Sequence, residues 1–177
     1  MNKVFDVLFL KSKEGVKMVE KLQKIDKILN NIIKVICILL LAGIIITVTI
    51  SVTTRFIFFA PLNFADPLAA YLMAWLSFLG IGLGITQNEH ISVDILLNRF
   101  TLKIKRKIIL YTSIIISLFL LALINYGIIF GLSGLDTHDN LVFGLNMSIP
   151  YFSVSIGALY ALIALNIKNL IIIFGGD

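Results

Sequence analysis

Few residues in this 177-residue chain have the chemistry for catalysis, metal binding or proton coupling: ten carboxylates, two histidines and one cysteine. A proton-coupled carrier stores its coupling on a carboxylate in mid-membrane. None of the ten acids falls within the long apolar runs at about 35–54, 67–87, 108–132 and 149–173. Haem or a metal ion needs convergent ligands. His90, at a helix end, and His138, in a loop, instead lie on what the charge pattern makes opposite sides of a membrane, so each reads as a polar contact. The same separation keeps a Ser–His–Asp constellation from assembling in one leaflet. Cys37 stands alone in an apolar run, where it offers no disulfide or thiolate cluster and reads as packing. Gly80-Ile81-Gly82-Leu83-Gly84 follows no strand, and in an apolar helix such glycines are packing or kinking devices rather than a phosphate cradle. No enzyme, cofactor or metal site is expected.

The elements that would carry these residues are membrane helices. The chain is 59% hydrophobic and 14% charged, with a mean hydropathy of +1.01, which excludes a water-soluble domain and leaves room for one membrane bundle. A net charge of +5 in such a chain points to orientation and anionic lipid, not to nucleic acid. The first ten residues contain Asp6, and no small-residue cleavage site follows, so no removable signal peptide is expected.

The fold class expected is an all-α membrane protein with four transmembrane helices plus two basic amphipathic interfacial helices. Residues 1–30 form the first of these, with Met18, Leu22, Ile25 and Leu29 on one side and Lys17, Lys21, Lys24 and Lys27 on the other. Residues 31–177 form the four-span bundle. Val35 to Thr54 is the first span, and its Thr47, Thr49, Ser51, Thr53 and Thr54 can bond back to their own helix. Residues 56–65, with Pro61 and several aromatics, read as a short re-entrant or surface-hugging turn. Asp66 is expected to cap the second span and Pro67 to open it. Ala70, Ala74, Ser77, Gly80 and Gly84 share one face, which invites a close-packed helix. A second interfacial helix follows at about 91–106, and Gly127, Gly131 and Gly134 share a face near the end of the third span. The fourth span carries Ser153, Gly157, Ala161 and Ala164 as another close-packing stripe.

Lysine and arginine number eight before the first span, one in the first loop, five in the second, none in the third and one at the C-terminal end. That alternation places both termini and the second loop in the cytoplasm, leaving Asp66 and the Asp136, His138, Asp139 loop outside.

Arg55, Pro61, Asp66, Leu68, Tyr71-Leu72, Trp75, Phe78-Leu79-Gly80 and Glu89-His90-Ile91-x-Val93-Asp94, in this order, resemble the small membrane subunit of tripartite ATP-independent periplasmic (TRAP) transporters, the DctQ-like family. The resemblance covers about residues 30–170. Pro67 stands where the family has an acid, and Asn146, Ser148 and Ser155 replace family prolines and an aromatic, while Gly144, Tyr151 and Gly157 match. The resemblance implies a small permease subunit in the bacterial inner membrane. Its partners would be a large permease subunit that carries the sodium and substrate sites, a periplasmic substrate-binding protein that delivers an organic acid, and anionic lipid headgroups. Arg55, Asp66, Tyr71, Trp75, Gly80, Gly84, Glu89, His90 and Asp94 are then candidates for the partner interface. Asp136, His138 and Asp139 are candidates for docking the binding protein. The alternative is a self-sufficient homo-oligomeric carrier or channel, whose path would be lined by Thr47 to Thr54 and Ser77.

Overall fold

The chain's three prolines explain most of the helix boundaries. Pro61 lies between helices, Pro67 sits in the first turn of the second helix and Pro150 in the first turn of the last. The first four backbone N–H groups of a helix have no intrahelical acceptor, so proline costs nothing there and would break the helix elsewhere. A computed structural model describes residues 2–86 and 102–174. It contains α1 (Asn2–Phe56), α2 (Ala65–Thr86), α3 (Leu102–Ser133) and α4 (Ser148–Phe174). Between α3 and α4 lie β1 (His138–Asp139), a 3-10 turn (Asn140–Val142) and β2 (Leu145–Asn146). The two short strands pair antiparallel, His138 opposite Asn146 and Asp139 opposite Leu145.

Each of the four helices contains a stretch long and apolar enough to cross a membrane, and the molecule is a multi-pass membrane protein. α1 runs unbroken through residue 30, so the lysine-studded N-terminal segment and the first span are one helix of 55 residues. At 1.5 Å per residue that is about 80 Å, far more than the ~30 Å of a hydrocarbon core. The interfacial helix expected at about 91–106 falls mostly outside the described residues, and α3 is already helical from Leu102.

The helices form an open row rather than a closed ring. α4 is the hub: 56% of its membrane window is buried, against 11%, 22% and 17% in α1, α2 and α3. It packs against α2 on one side and α3 on the other, and α1 packs chiefly on α2 with a smaller contact to α4. Because lipid is as apolar as leucine, close van der Waals packing must hold the row together. Small residues allow it. Ser153, Ala161 and Ala164 are fully buried, and Gly157 lies so near Phe78 of α2 that a Cβ there would collide with the Phe78 backbone. Gly127 and Gly131 of α3, and Gly134 just past its end, likewise meet Ser155, Phe152 and Ser148 of α4. The Gly127–Gly134 and Ser153–Ala164 faces therefore turn inward at the α4 seams. Leu120 and Ile85 close around Ala158, Ala161 and Leu165 in one core cluster, and Cys37, Leu79 and Tyr160 form another, so Cys37 does pack.

Candidate functional site

The turns joining α1 to α2 and α3 to α4 lie at one end of the row, called here the hairpin end. α2 begins at Ala65, and the Phe64 carbonyl accepts the first helical bond, from Leu68 N–H at 3.1 Å. Asp66 is thus inside the first turn and is not the expected cap. Its carboxylate, favourably placed at a helix N-terminus, accepts from the Arg55 guanidinium at 3.1 Å and from the Ser51 hydroxyl at 3.4 Å. The acid is spent on tying α2 to the end of α1. Thr53 and Thr54 donate to Thr49 and Ile50 carbonyls of their own helix, as expected, whereas Ser51 reaches across.

Tyr71 and Asp139, read from the sequence as parts of two different surfaces, are brought together. The Tyr71 hydroxyl donates to Asp139 at 2.6 Å and lies 3.4 Å from the Met147 sulfur. Asp139 also accepts from Leu141 N–H at 2.8 Å, which caps the 3-10 turn. The Tyr71 hydroxyl and then the backbone amides hold its carboxyl below the ordinary carboxylate range. Asn146 works beside it: its side-chain oxygen takes the free Ser148 N–H at 2.9 Å and the Ser148 hydroxyl, and its amide donates to Leu135 O at 2.8 Å. One asparagine therefore closes the exit of α3 and the entry of α4. Asp136 and His138 remain exposed on the hairpin.

Residues two apart on a helix point in roughly opposite directions, and the Gly-x-Gly-x-Gly run of α2 shows it. Gly82 faces inward against the Tyr160 ring, with no room for a Cβ. Gly80 and Gly84 face open space. The stripe containing Ala70, Ala74, Ser77, Gly80 and Gly84 is consequently not a seam within this chain, and Ala70 and Ser77 are exposed. Trp75 is half-buried and packs beside the Cys37–Leu79–Tyr160 cluster.

At the opposite end the Tyr160 hydroxyl donates to the Asn30 side-chain oxygen at 2.7 Å, and Asn30 donates to Asp26 at 3.0 Å. Lys168 donates to Ile85 O at 2.8 Å, placing a cation on the C-terminal carbonyls of α2. Neither Lys168 nor Tyr160 stands out in the sequence as a partner for another helix. Only the polar ends of these side chains, set in apolar helices, hinted at partners. Ser113 and Asn169 add a 3.0 Å bond between α3 and α4. Glu89, His90 and Asp94 lie outside the described residues.

Chemically, these groups fasten helices to one another. Among the described residues no three His, Cys, Asp or Glu side chains gather as a metal site would require. The span amides Asn125 and Asn166 donate to Leu121 and Leu162 carbonyls of their own helices.

Residues 44–172 match the model of the family described as tripartite ATP-independent periplasmic transporters, DctQ component. A protein of Haemophilus influenzae named as a candidate TRAP transporter small permease is 34% identical over 71 residues, 40% of this chain and 44% of that protein. The aligned stretch is thus less than half the length of that relative.

Proposed function

The chain belongs to the DctQ family of TRAP transporter components, and on that premise we propose that it is the small membrane subunit of a sodium-coupled importer of an organic acid. In this reading it anchors and stiffens a large permease subunit. The large subunit carries sodium and substrate, a periplasmic binding protein delivers the acid, and this chain binds neither ion nor cargo. A dicarboxylate, a keto acid and sialic acid all suit the class. The observation that carries the reading is the family match, which takes in the last quarter of α1, the whole of α2 and α3, and α4 up to residue 172.

The geometry supports a scaffold. The hydroxyls of Thr53, Thr54 and Ser113 and the amides of Asn125 and Asn166 are spent on their own helices or on a neighbouring one, which leaves them poorly suited to lining a path. The Gly80–Gly84 side of α2 offers a helix of the large subunit a surface its backbone can approach. Arg55, Asp66, Tyr71 and Trp75 stiffen that helix from within the chain, and Glu89, His90 and Asp94 extend the interface beyond it. Asp136 and His138 face the binding protein, while Asp139 holds the hairpin that presents them. The lysine distribution supports an inner-membrane orientation with both termini cytoplasmic and the basic part of α1 against anionic headgroups.

Gentle purification from the native membrane should bring down a large multi-span protein. Liposomes holding this chain alone should show no uptake, and adding the large subunit with the binding protein should give sodium-dependent uptake. Flux from the chain alone would overturn the reading in favour of a self-sufficient carrier.

A further inference from the structure

Two phenylalanines have backbone that bulky residues rarely adopt. Phe59, between α1 and α2, and Phe143, at the end of the 3-10 turn, both have φ of 52°. This is the left-handed region, where a side chain crowds its own backbone and glycine or asparagine is the usual occupant. These same two residues are the most exposed large hydrophobics among the described residues, at 86% and 84%. Backbone strain of this kind persists where it serves a site. Neither ring is buried by the chain in return for it, so the return must come from outside.

The surroundings identify what lies outside. Phe64 meets Phe143 at 5.2 Å between ring centroids, which sets the two turns side by side. Phe56, Ile57 and Phe58 lead from α1 to Phe59 and are all exposed, as is Leu141 beside Phe143. Arg55 and Asp66, the charges at these helix ends, close on each other. The apolar surface continues from the exposed side of α1, at Ile50 and Val52 within the span, so it is continuous with a surface of membrane-spanning character. An aromatic end to such a surface, at the level where helices turn back, suits the boundary between headgroups and acyl chains.

We propose that Phe59 and Phe143 are a two-pronged anchor inserted into the bilayer interface at the hairpin end. Arg55, the cation at this end of α1, is paired with Asp66 and not offered to a headgroup, so the anchor takes neutral and anionic lipid alike, unlike the lysine-rich part of α1. It fixes the depth of the Tyr71–Asp139 hairpin, whichever protein the chain assembles with.

The test is collision accessibility of nitroxide spin labels at F59C, F143C and, as a reference on the same turn, N140C, each with Cys37→Ala. The chain is reconstituted with its co-purifying membrane partners in phosphatidylcholine vesicles and in phosphatidylcholine–phosphatidylglycerol vesicles. The ratio of oxygen to water-soluble nickel complex accessibility should be several-fold higher at 59 and 143 than at 140, and equal in the two lipids. Nickel accessibility matching position 140 would overturn the anchor, as would shielding from both reagents, which would mean that protein covers the rings. In the unsubstituted chain, a lipid with a diazirine near its headgroup should label the peptides containing 57–59 and 143. Absence of label there would also overturn the proposal.

Discussion

The Tyr71 hydroxyl donates to Asp139 at 2.6 Å across 68 residues of sequence, fastening the hairpin between α3 and α4 to the second turn of α2. Tyr71→Phe removes the donor and leaves the ring, so the hairpin should loosen while the helices stay packed. Backbone hydrogen exchange over 134–147 should quicken several-fold with little change in α4. The same bond sets a pH dependence. Asp139 is held below the ordinary carboxylate range by Tyr71 and the backbone amides, so the attachment it provides is complete above about pH 4 and disappears as pH falls through its lowered folded value. Exchange in the hairpin should rise at that acid edge in the parent chain, and Tyr71→Phe should flatten the rise.

The glycines separate folding from association. Gly157→Val drives a side chain into the Phe78 backbone and should destabilise the chain by about 1–3 kcal/mol, measured by thermal unfolding in detergent. At Gly84 a Cβ meets nothing, so Gly84→Ala should leave the fold unharmed or add about 0.5–1 kcal/mol of helix stability. If the open side of α2 meets the large subunit, Gly80→Leu with Gly84→Leu should fold normally yet lose most of the co-purifying partner. Full recovery of that partner would remove this face from the interface.

The contrast between those glycines also shows what the sequence could reveal. Hydropathy and the three prolines were enough to find four helices, and the 3.6-residue spacing found both stripes of small residues. Spacing gives the face but not the direction it points. The Ser153–Ala164 stripe turned out to be the central seam, whereas the Ala70–Gly84 stripe is open, and nothing local distinguishes them. Asp66 before Pro67 has the form of a cap, but the helix starts a residue earlier, at Ala65, and the carboxylate turns to a guanidinium eleven residues before it in sequence. The Tyr71–Asp139 and Tyr160–Asn30 bonds join residues that only tertiary packing makes neighbours, so periodicity carried no trace of them.

Arg55 and Asp66 are both well exposed, with 50% and 72% of their side chains accessible, so their ion pair should contribute less than about 1 kcal/mol. Arg55→Gln should therefore change the unfolding temperature only slightly. Any larger loss of transport in that variant would then point to an interface role for Arg55. The exchange of charges in an R55D/D66R double variant should restore the helix-end contact only in part, because each charge then opposes the dipole of its helix end.

Ser153 and Ser155 are buried with hydroxyls that have no hydrogen-bond partner. Their value lies in their size, so Ser153→Ala should be neutral or stabilising by about 1 kcal/mol, because it removes an unpaired polar group without opening a cavity. Ser153→Leu should separate α2 from α4 and unfold the chain at markedly lower temperature. A large loss from Ser153→Ala would instead assign the hydroxyl a bond that matters.

The hub position of α4 has a consequence for biogenesis. α1 and α2 can pair as soon as both have left the translocon, but α3 gains its principal neighbour only when α4 has been synthesised. Until then α3 waits in the bilayer as a solitary segment, open to quality-control proteases. A ribosome stalled before the codon for Ser148 should therefore leave a two-helix hairpin and an orphan rather than a smaller version of the subunit.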